Sequence, residues 1–186
     1  MKNILKKRRN RYLFAFLGMI ILLLIPTIKP LFIITFGEEV HLRVEGYDPT
    51  DPFKGDFVRL GYETDFIPKE LLSSEIISMN QDDYYRTLDD NRLYIELVRD
   101  GDLYVVKQVT LDKPDGLFIR ANYSWSQFDY ENNNELIGIT VSLSMDRFYV
   151  PEGTGKAYED MINNGEAYSV IKIINGYGVL TDLRTN

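Results

Sequence analysis

The residues that could do chemistry gather around one stretch, Asp-Pro-Phe-Lys-Gly-Asp-Phe-Val-Arg-Leu-Gly-Tyr-Glu, residues 51–63. Asp48, Asp51 and Asp56 lie close together there, and a fourth acid, Glu152, follows Tyr149-Val150-Pro151 and precedes Gly153. Hard cations take several oxygen ligands, so Asp48, Asp51 and Asp56 form a weak candidate calcium set. Their spacing is not that of an EF-hand loop, and Pro49 and Pro52 constrain the backbone between them. Two carboxylates can also serve as acid and base, for which Asp56 and Glu152 are the candidates. The structural reading outweighs both. Asp beside Pro starts turns, and its side chain accepts hydrogen bonds from nearby backbone N–H groups. Glu152 can equally meet the positive end of a following helix.

Other chemistries are excluded by composition. The 186 residues include no cysteine, which removes disulfides, thiolate metal sites and cysteine nucleophiles. His41 is the only histidine, so no histidine-rich metal site can form. It alternates with Val40 and Leu42 and reads as the polar face of a strand. No Gly-x-Ser-x-Gly, Walker or dinucleotide fingerprint is present. No cofactor is expected.

Charge divides the chain in two. Residues 1–36 carry Lys2, Lys6, Lys7, Arg8, Arg9, Arg11 and Lys29 and no acid. The remaining 14 bases face all 28 acids, a formal charge of −14. So acidic a body is expected to repel nucleic acid and anionic membrane surfaces. Tyr12 to Ile28 is 17 residues without a charge, near the short end of the roughly 17–25 that span a bilayer. Lys29 can snorkel outward at the far edge. Pro26 and Pro30 are expected to bend or end the helix, with Leu31–Phe36 at the outer interface or extending a tilted span. A buried core helix is one alternative, odd beside six bases, and a cleaved signal peptide is the other. The run is longer than its usual ~7–15 residue apolar region, and no small-x-small site follows. The expected division is a basic cytoplasmic flank over 1–11, an anchor with interfacial segment over 12–36, and a β-rich domain over 37–186. The positive-inside rule puts that domain outside the cytoplasm.

The elements that must position the acids are strands. Alternating or apolar-rich runs over 39–47, 91–111, 115–125, 135–145, 147–150, 167–174 and 177–183 predict nine to ten of them. Asp100-Gly101 and Asn175-Gly176 are hairpin signals. Thr154 to Gly165 predicts a helix capped by Thr154, with Ala157, Tyr158, Met161 and Ile162 as its apolar stripe. Pro68 to Met79 predicts a weaker helix, with Leu71, Leu72, Ile76 and Met79 facing inward. Residues 80–91 and 129–135 read as exposed loops. In Tyr123-Ser-Trp125-Ser-Gln-Phe128-Asp-Tyr130, Tyr123 and Trp125 share one parity and Phe128 and Tyr130 the other, a candidate sugar, peptide or lipid strip if not simply packing. The fold class is mainly β, an antiparallel barrel- or sandwich-like domain with one or two short helices behind an N-terminal transmembrane helix.

The motif Gly55-Asp56-Phe57-x-x-Leu60-x-Tyr62 resembles the signature of the bacterial GDYXXLXY family, with Phe57 where the family's first Tyr stands. The lead-in Asp48-Pro49…Asp51-Pro52 and the segment Phe148-Tyr149-Val150-Pro151-Glu152-Gly153 are similar to family features in the same order. The resemblance covers nearly the whole chain. It implies a single-pass membrane protein with an extracytoplasmic domain, and it implies no reaction. The candidate site is therefore Gly55, Asp56, Phe57, Leu60, Tyr62, Tyr149, Pro151, Glu152 and Gly153. The expected role is a binding or accessory component of the cell envelope that partners another membrane or envelope protein. A carboxylate-dependent envelope hydrolase or transferase, or a calcium-stabilised domain, is the alternative.

Overall fold

The computed structural model describes residues 2–46, 57–79, 84–88, 92–130, 135–165 and 167–185. Helix α1 spans Lys2–Phe36 and contains both Pro26 and Pro30, so neither ends it. Each proline removes one backbone donor. The Thr27 and Thr35 hydroxyls donate to the carbonyls of Leu24 and Leu31 one turn back (2.7 and 2.8 Å). Tyr12–Phe36 has a mean hydropathy of 2.4 and is almost uncovered by protein, making it long and apolar enough to cross a membrane.

Gly37 turns helix directly into sheet. Its N–H donates to the Ile33 carbonyl at 2.7 Å. A Cβ here would collide with that carbonyl and reach 3.0 Å from the Ile173 amide, so only glycine admits this close approach. The last turns of α1 thereby pack on the sheet, with Ile33 buried.

Among the described residues, ten strands carry the rest. They are β1 (Glu38–Gly46), β2 (Phe57–Tyr62), β3 (Phe66–Pro68), β4 (Leu93–Asp100) and β5 (Leu103–Thr110), followed by β6 (Phe118–Asp129), β7 (Glu135–Ser142), β8 (Arg147–Tyr149), β9 (Ala167–Ile174) and β10 (Tyr177–Thr185). They form two antiparallel five-stranded sheets, ordered β10-β9-β1-β2-β8 and β3-β7-β6-β4-β5. The expected mainly β domain is present, with the helices α2 (Ser74–Ile77) and α3 (Gly155–Asn163) beside it.

Period-two patterning builds the core. Val40, Leu42 and Val44 point inward from β1, and Val58, Leu60 and Tyr62 from β2, all buried. Each such aliphatic side chain contributes roughly 1.5–3 kcal/mol on burial. His41 lies on the outer face as expected, against the Tyr168 ring, with Nε2 3.2 Å from Glu39 and Nδ1 3.1 Å from the Asp102 carbonyl. Both hairpin signals yield hairpins. At Asn175-Gly176 both residues take positive φ, 51° and 77°, as a tight right-twisted hairpin requires. The first turn is displaced by one residue: Asp100 pairs with Leu103, so Gly101 and Asp102 form the loop.

Several expectations need correction. Tyr123 and Trp125 do not share a face. The β6 register shifts between them, and this bulge leaves Tyr123 buried and Trp125 about half exposed. Phe128 is buried while Tyr130 is exposed, so no continuous aromatic strip forms. Residues 80–91 are not simply an exposed loop. Tyr84–Leu88 makes one π-helical turn that buries Tyr84 and Leu88, and the Tyr84 hydroxyl donates to the Ile76 carbonyl at 2.9 Å. Polar neighbours hid these two inward positions. Pro68 to Met79 forms a 3-10 turn, Lys69–Leu71, and the four-residue α2 instead of one helix, though Leu72 and Ile76 are buried as expected. Thr154 precedes α3 but does not cap it by its side chain. Its hydroxyl donates to the Pro151 carbonyl at 2.7 Å. On α3, Ala157 is exposed and Ile162 is the buried member of the stripe.

Leu88→Ala is expected to cost about 2–5 kcal/mol, the usual result of emptying a core leucine site. Urea unfolding of the detergent-solubilised chain measures it. A change below about 0.5 kcal/mol, as at exposed positions, would return residue 88 to a solvated loop.

Candidate functional site

The two sequence signatures meet through strand pairing. β8 lies antiparallel beside β2, with Phe57 opposite Tyr149 and Val58 opposite Phe148. The Phe57 and Tyr149 rings stand 6.1 Å apart, and the Arg147 guanidinium lies 5.7 Å from the Phe57 ring. Phe57 is half-buried, so an aromatic ring suffices at this motif position and no hydroxyl is needed for the packing. Asp48, Asp51, Gly55 and Asp56 lie outside the described residues. Pro151, Glu152 and Gly153 follow β8 on the surface, all exposed. Among the described residues, no three acidic or histidine side chains gather to hold a metal ion.

Leu60 and Tyr62 are core residues with fixed partners. The Leu60 N–H donates to the Asp146 carbonyl at 2.9 Å, and the Tyr62 hydroxyl donates to the Met145 carbonyl at 2.7 Å inside the core. Burial raises the Tyr62 phenol well above its ordinary range, which keeps it neutral and donating. The alternation of β2 turns both side chains inward, and a buried tyrosine hydroxyl requires a partner.

Tyr62 also places an acid that sequence reasoning missed. After Tyr62 the chain makes a 3-10 turn, Glu63–Asp65, and Asp65 Oδ2 accepts the Tyr62 backbone N–H at 2.8 Å. Asp65 is pushed up to about 6, chiefly by burial, with the charges of Glu45 and Asp146 adding and the Tyr62 N–H opposing. Its Oδ1 and the neighbouring Thr64 Oγ1 are buried without a hydrogen-bond partner among the described residues. The signal was present as Tyr-x-x-Asp, the spacing of a side chain reaching back to a turn's first N–H. Nothing in the sequence showed that this turn would open onto a cleft.

That cleft has a volume of about 700 Å³ and lies between the two sheets. Its lining includes Arg43 and Glu45 of β1, Glu63, Thr64 and Asp65, Tyr104 and Val106 of β5, and Thr140 and Val141 of β7. Arg43 is engaged by Glu63 at 3.6 Å, a weak exposed pair. The lining therefore combines an apolar wall with an acidic side, Glu45 and Asp65, that has no cation of its own among the ion pairs of the described residues. A carboxyl titrating near neutrality beside an open cavity can bind a cationic group or exchange a proton. Glu152 is not among the lining residues.

The family model described as GDYXXLXY protein matches residues 19–183. No curated protein and no solved structure matches the chain.

Two outcomes follow from this geometry. Tyr62→Phe leaves the buried Met145 carbonyl without its donor and is expected to cost about 1–3 kcal/mol, read from urea unfolding. The Asp65 carboxyl is raised in the folded state, so the fold holds its proton more tightly than the unfolded chain between about pH 4 and 6. Stability is accordingly lost as pH rises through that window. Asp65→Asn removes the loss, so the melting temperature of the variant minus that of the parent should climb from pH 4 to 6 and level off above. A difference that stays flat across pH would show that Asp65 titrates normally.

Proposed function

We propose, from the premise that this chain belongs to the GDYXXLXY protein family, that it is a single-pass envelope binding protein that captures a basic segment of another membrane or envelope protein. The family membership and the apolar α1 fit a membrane-anchored protein. The side follows from charge: six of the seven head bases precede Tyr12, which favours a cytoplasmic N-terminus and a β domain outside.

The observation that carries the binding reading is Asp65. A half-buried carboxyl with an unspent oxygen, next to Glu45 and an apolar wall, suits an extended segment that presents a lysine or arginine. The cation would complete the hydrogen bonding of Asp65 Oδ1, and the apolar wall would take the flanking side chains. The strongly acidic body would steer such a partner toward the cleft.

A carboxylate-dependent hydrolase or transferase is the second reading, favoured by the same elevated Asp65. On that reading the working carboxyls are Asp65 and Glu45 of the cleft, since Glu152 does not line it.

Photo-crosslinking in intact cells distinguishes a binding cleft from a bare surface. A crosslinker replacing Val105, a lining residue, is expected to capture a reproducible protein, and one replacing Tyr149 to capture much less. Adding Asp65→Asn should lower the Val105 yield by several-fold while the protein level is unchanged. Equal capture from both positions, or a yield indifferent to Asp65, would remove the cleft from the binding surface.

A further inference from the structure

Three cations converge on one aromatic ring where the anchor meets the domain. Lys29 of α1 lies over the Tyr177 ring, the Arg120 guanidinium of β6 is 4.1 Å from its centroid, and Arg92 donates to its hydroxyl at 3.5 Å. Among the described residues none of the three is in an ion pair with a carboxylate, although Lys69, Lys107, Lys172 and Arg184 all are. In a domain with twice as many acids as bases, this cationic cluster stands without an ion pair among the described residues.

The fold sets the height of this cluster. Gly176 holds the β9–β10 turn against β6: the Arg120 N–H donates to the Gly176 carbonyl at 3.0 Å, and a Cβ at Gly176 would meet the Phe118 ring and lie 2.8 Å from Arg120 Cγ. Lys29 lies seven residues, about 10 Å, before the end of α1, so the ring it contacts sits alongside the helix and not beyond it. The 25 residues of Tyr12–Phe36 rise about 37 Å, some 7 Å more than the hydrocarbon core of a bilayer. With Tyr12 at one boundary, the last ~7 Å of α1 emerge beyond the hydrocarbon core and Lys29 lies about 3 Å inside its edge, close enough for its side chain to extend out to the headgroup layer. Tyrosine and cationic side chains are the residue types favoured at that depth.

We propose that Lys29, Arg92 and Arg120 form a binding site for the phosphate of an anionic phospholipid headgroup in the leaflet on the domain's side. The net charge of the body suggested the opposite, repulsion from anionic surfaces. Screening limits that repulsion to about a Debye length, ~8 Å, whereas the three cations lie in contact with the lipid layer. One phosphate can accept from guanidinium groups and an ammonium together. The cations also lower the Tyr177 phenol below its ordinary range, Arg92 most strongly, in keeping with a positive local potential. The inference rests on α1 spanning the bilayer and is independent of the inter-sheet cleft.

The test uses the full chain reconstituted into nanodiscs of phosphatidylcholine with a minor fraction of phosphatidylglycerol. Native mass spectrometry then reads which lipid stays bound. The parent is expected to retain phosphatidylglycerol in excess of its share, and Arg92→Gln and Arg120→Gln each to reduce that excess roughly fivefold. Lys172→Gln, which removes a base already paired with Glu39, should leave it unchanged. Arg92 is exposed, so its variant keeps the test meaningful if Arg120→Gln unfolds. Insertion into the disc reports the span separately from lipid preference. Equal retention in parent and Arg92→Gln, or loss of the excess on adding millimolar inorganic phosphate, would overturn the headgroup site, the latter by showing that it takes free anions.

Discussion

The hydrogen bond from the Tyr62 hydroxyl to the Met145 carbonyl is the constraint on which the site depends. It joins residues 83 positions apart, linking the end of β2 to the turn that follows β7. Met145 lies in the connection that leaves β7 of one sheet and enters β8, the neighbour of β2 in the other, so this bond ties β2 to the crossing between the sheets. A buried phenol that donates nothing costs roughly 1–3 kcal/mol, which disfavours sheet positions that leave it unmade. The same residue then holds Asp65 through its backbone N–H. One tyrosine thus closes the core with its side chain and aims the cleft's acid with its main chain.

This arrangement accounts for three of the motif's residues, Phe57, Leu60 and Tyr62. Leu60 and Tyr62 alternate inward because β2 is a regular strand, and Phe57, of opposite parity, packs outward against Tyr149 of β8. Phe57, Leu60 and Tyr62 form a structural joint between the two signatures, and the inter-sheet cleft lies just beyond it. Asp65, its carboxyl raised by burial, stands three residues past the motif's last position, where a turn leaves one oxygen bonded and the other buried without a partner among the described residues.

The anchor and the domain act as one piece for a related reason. α1 passes into β1 through a single glycine whose backbone touches β9, and Ile33 and Lys29 pack against the sheet and Tyr177. With no linker between them, helix depth fixes domain height. The cleft and the cationic cluster use different elements, the first between β1, β5 and β7, the second at the turn joining β9 to β10.

The apolar run with its basic flank, the period-two faces of β1 and β2, and the Asn175-Gly176 hairpin were all legible in the sequence, because each is set by residues adjacent along the chain. The family signature was legible for the same reason. What the sequence did not disclose depends on contacts between distant segments. A bulge in β6 reversed the parity of Trp125, and one helical turn buried Tyr84 and Leu88 within a polar stretch. Asp65 looked like any surface acid until β1, β5 and β7 closed around it and stripped its water. Lys29, Arg92 and Arg120 are scattered over 91 positions, and the sequence marked only Lys29, as a snorkelling lysine. Local pattern alone decided which residues face inward. Only the packing of one sheet on the other decided which polar atoms lost their solvent, and that loss of solvation is what gives Asp65 its altered proton affinity.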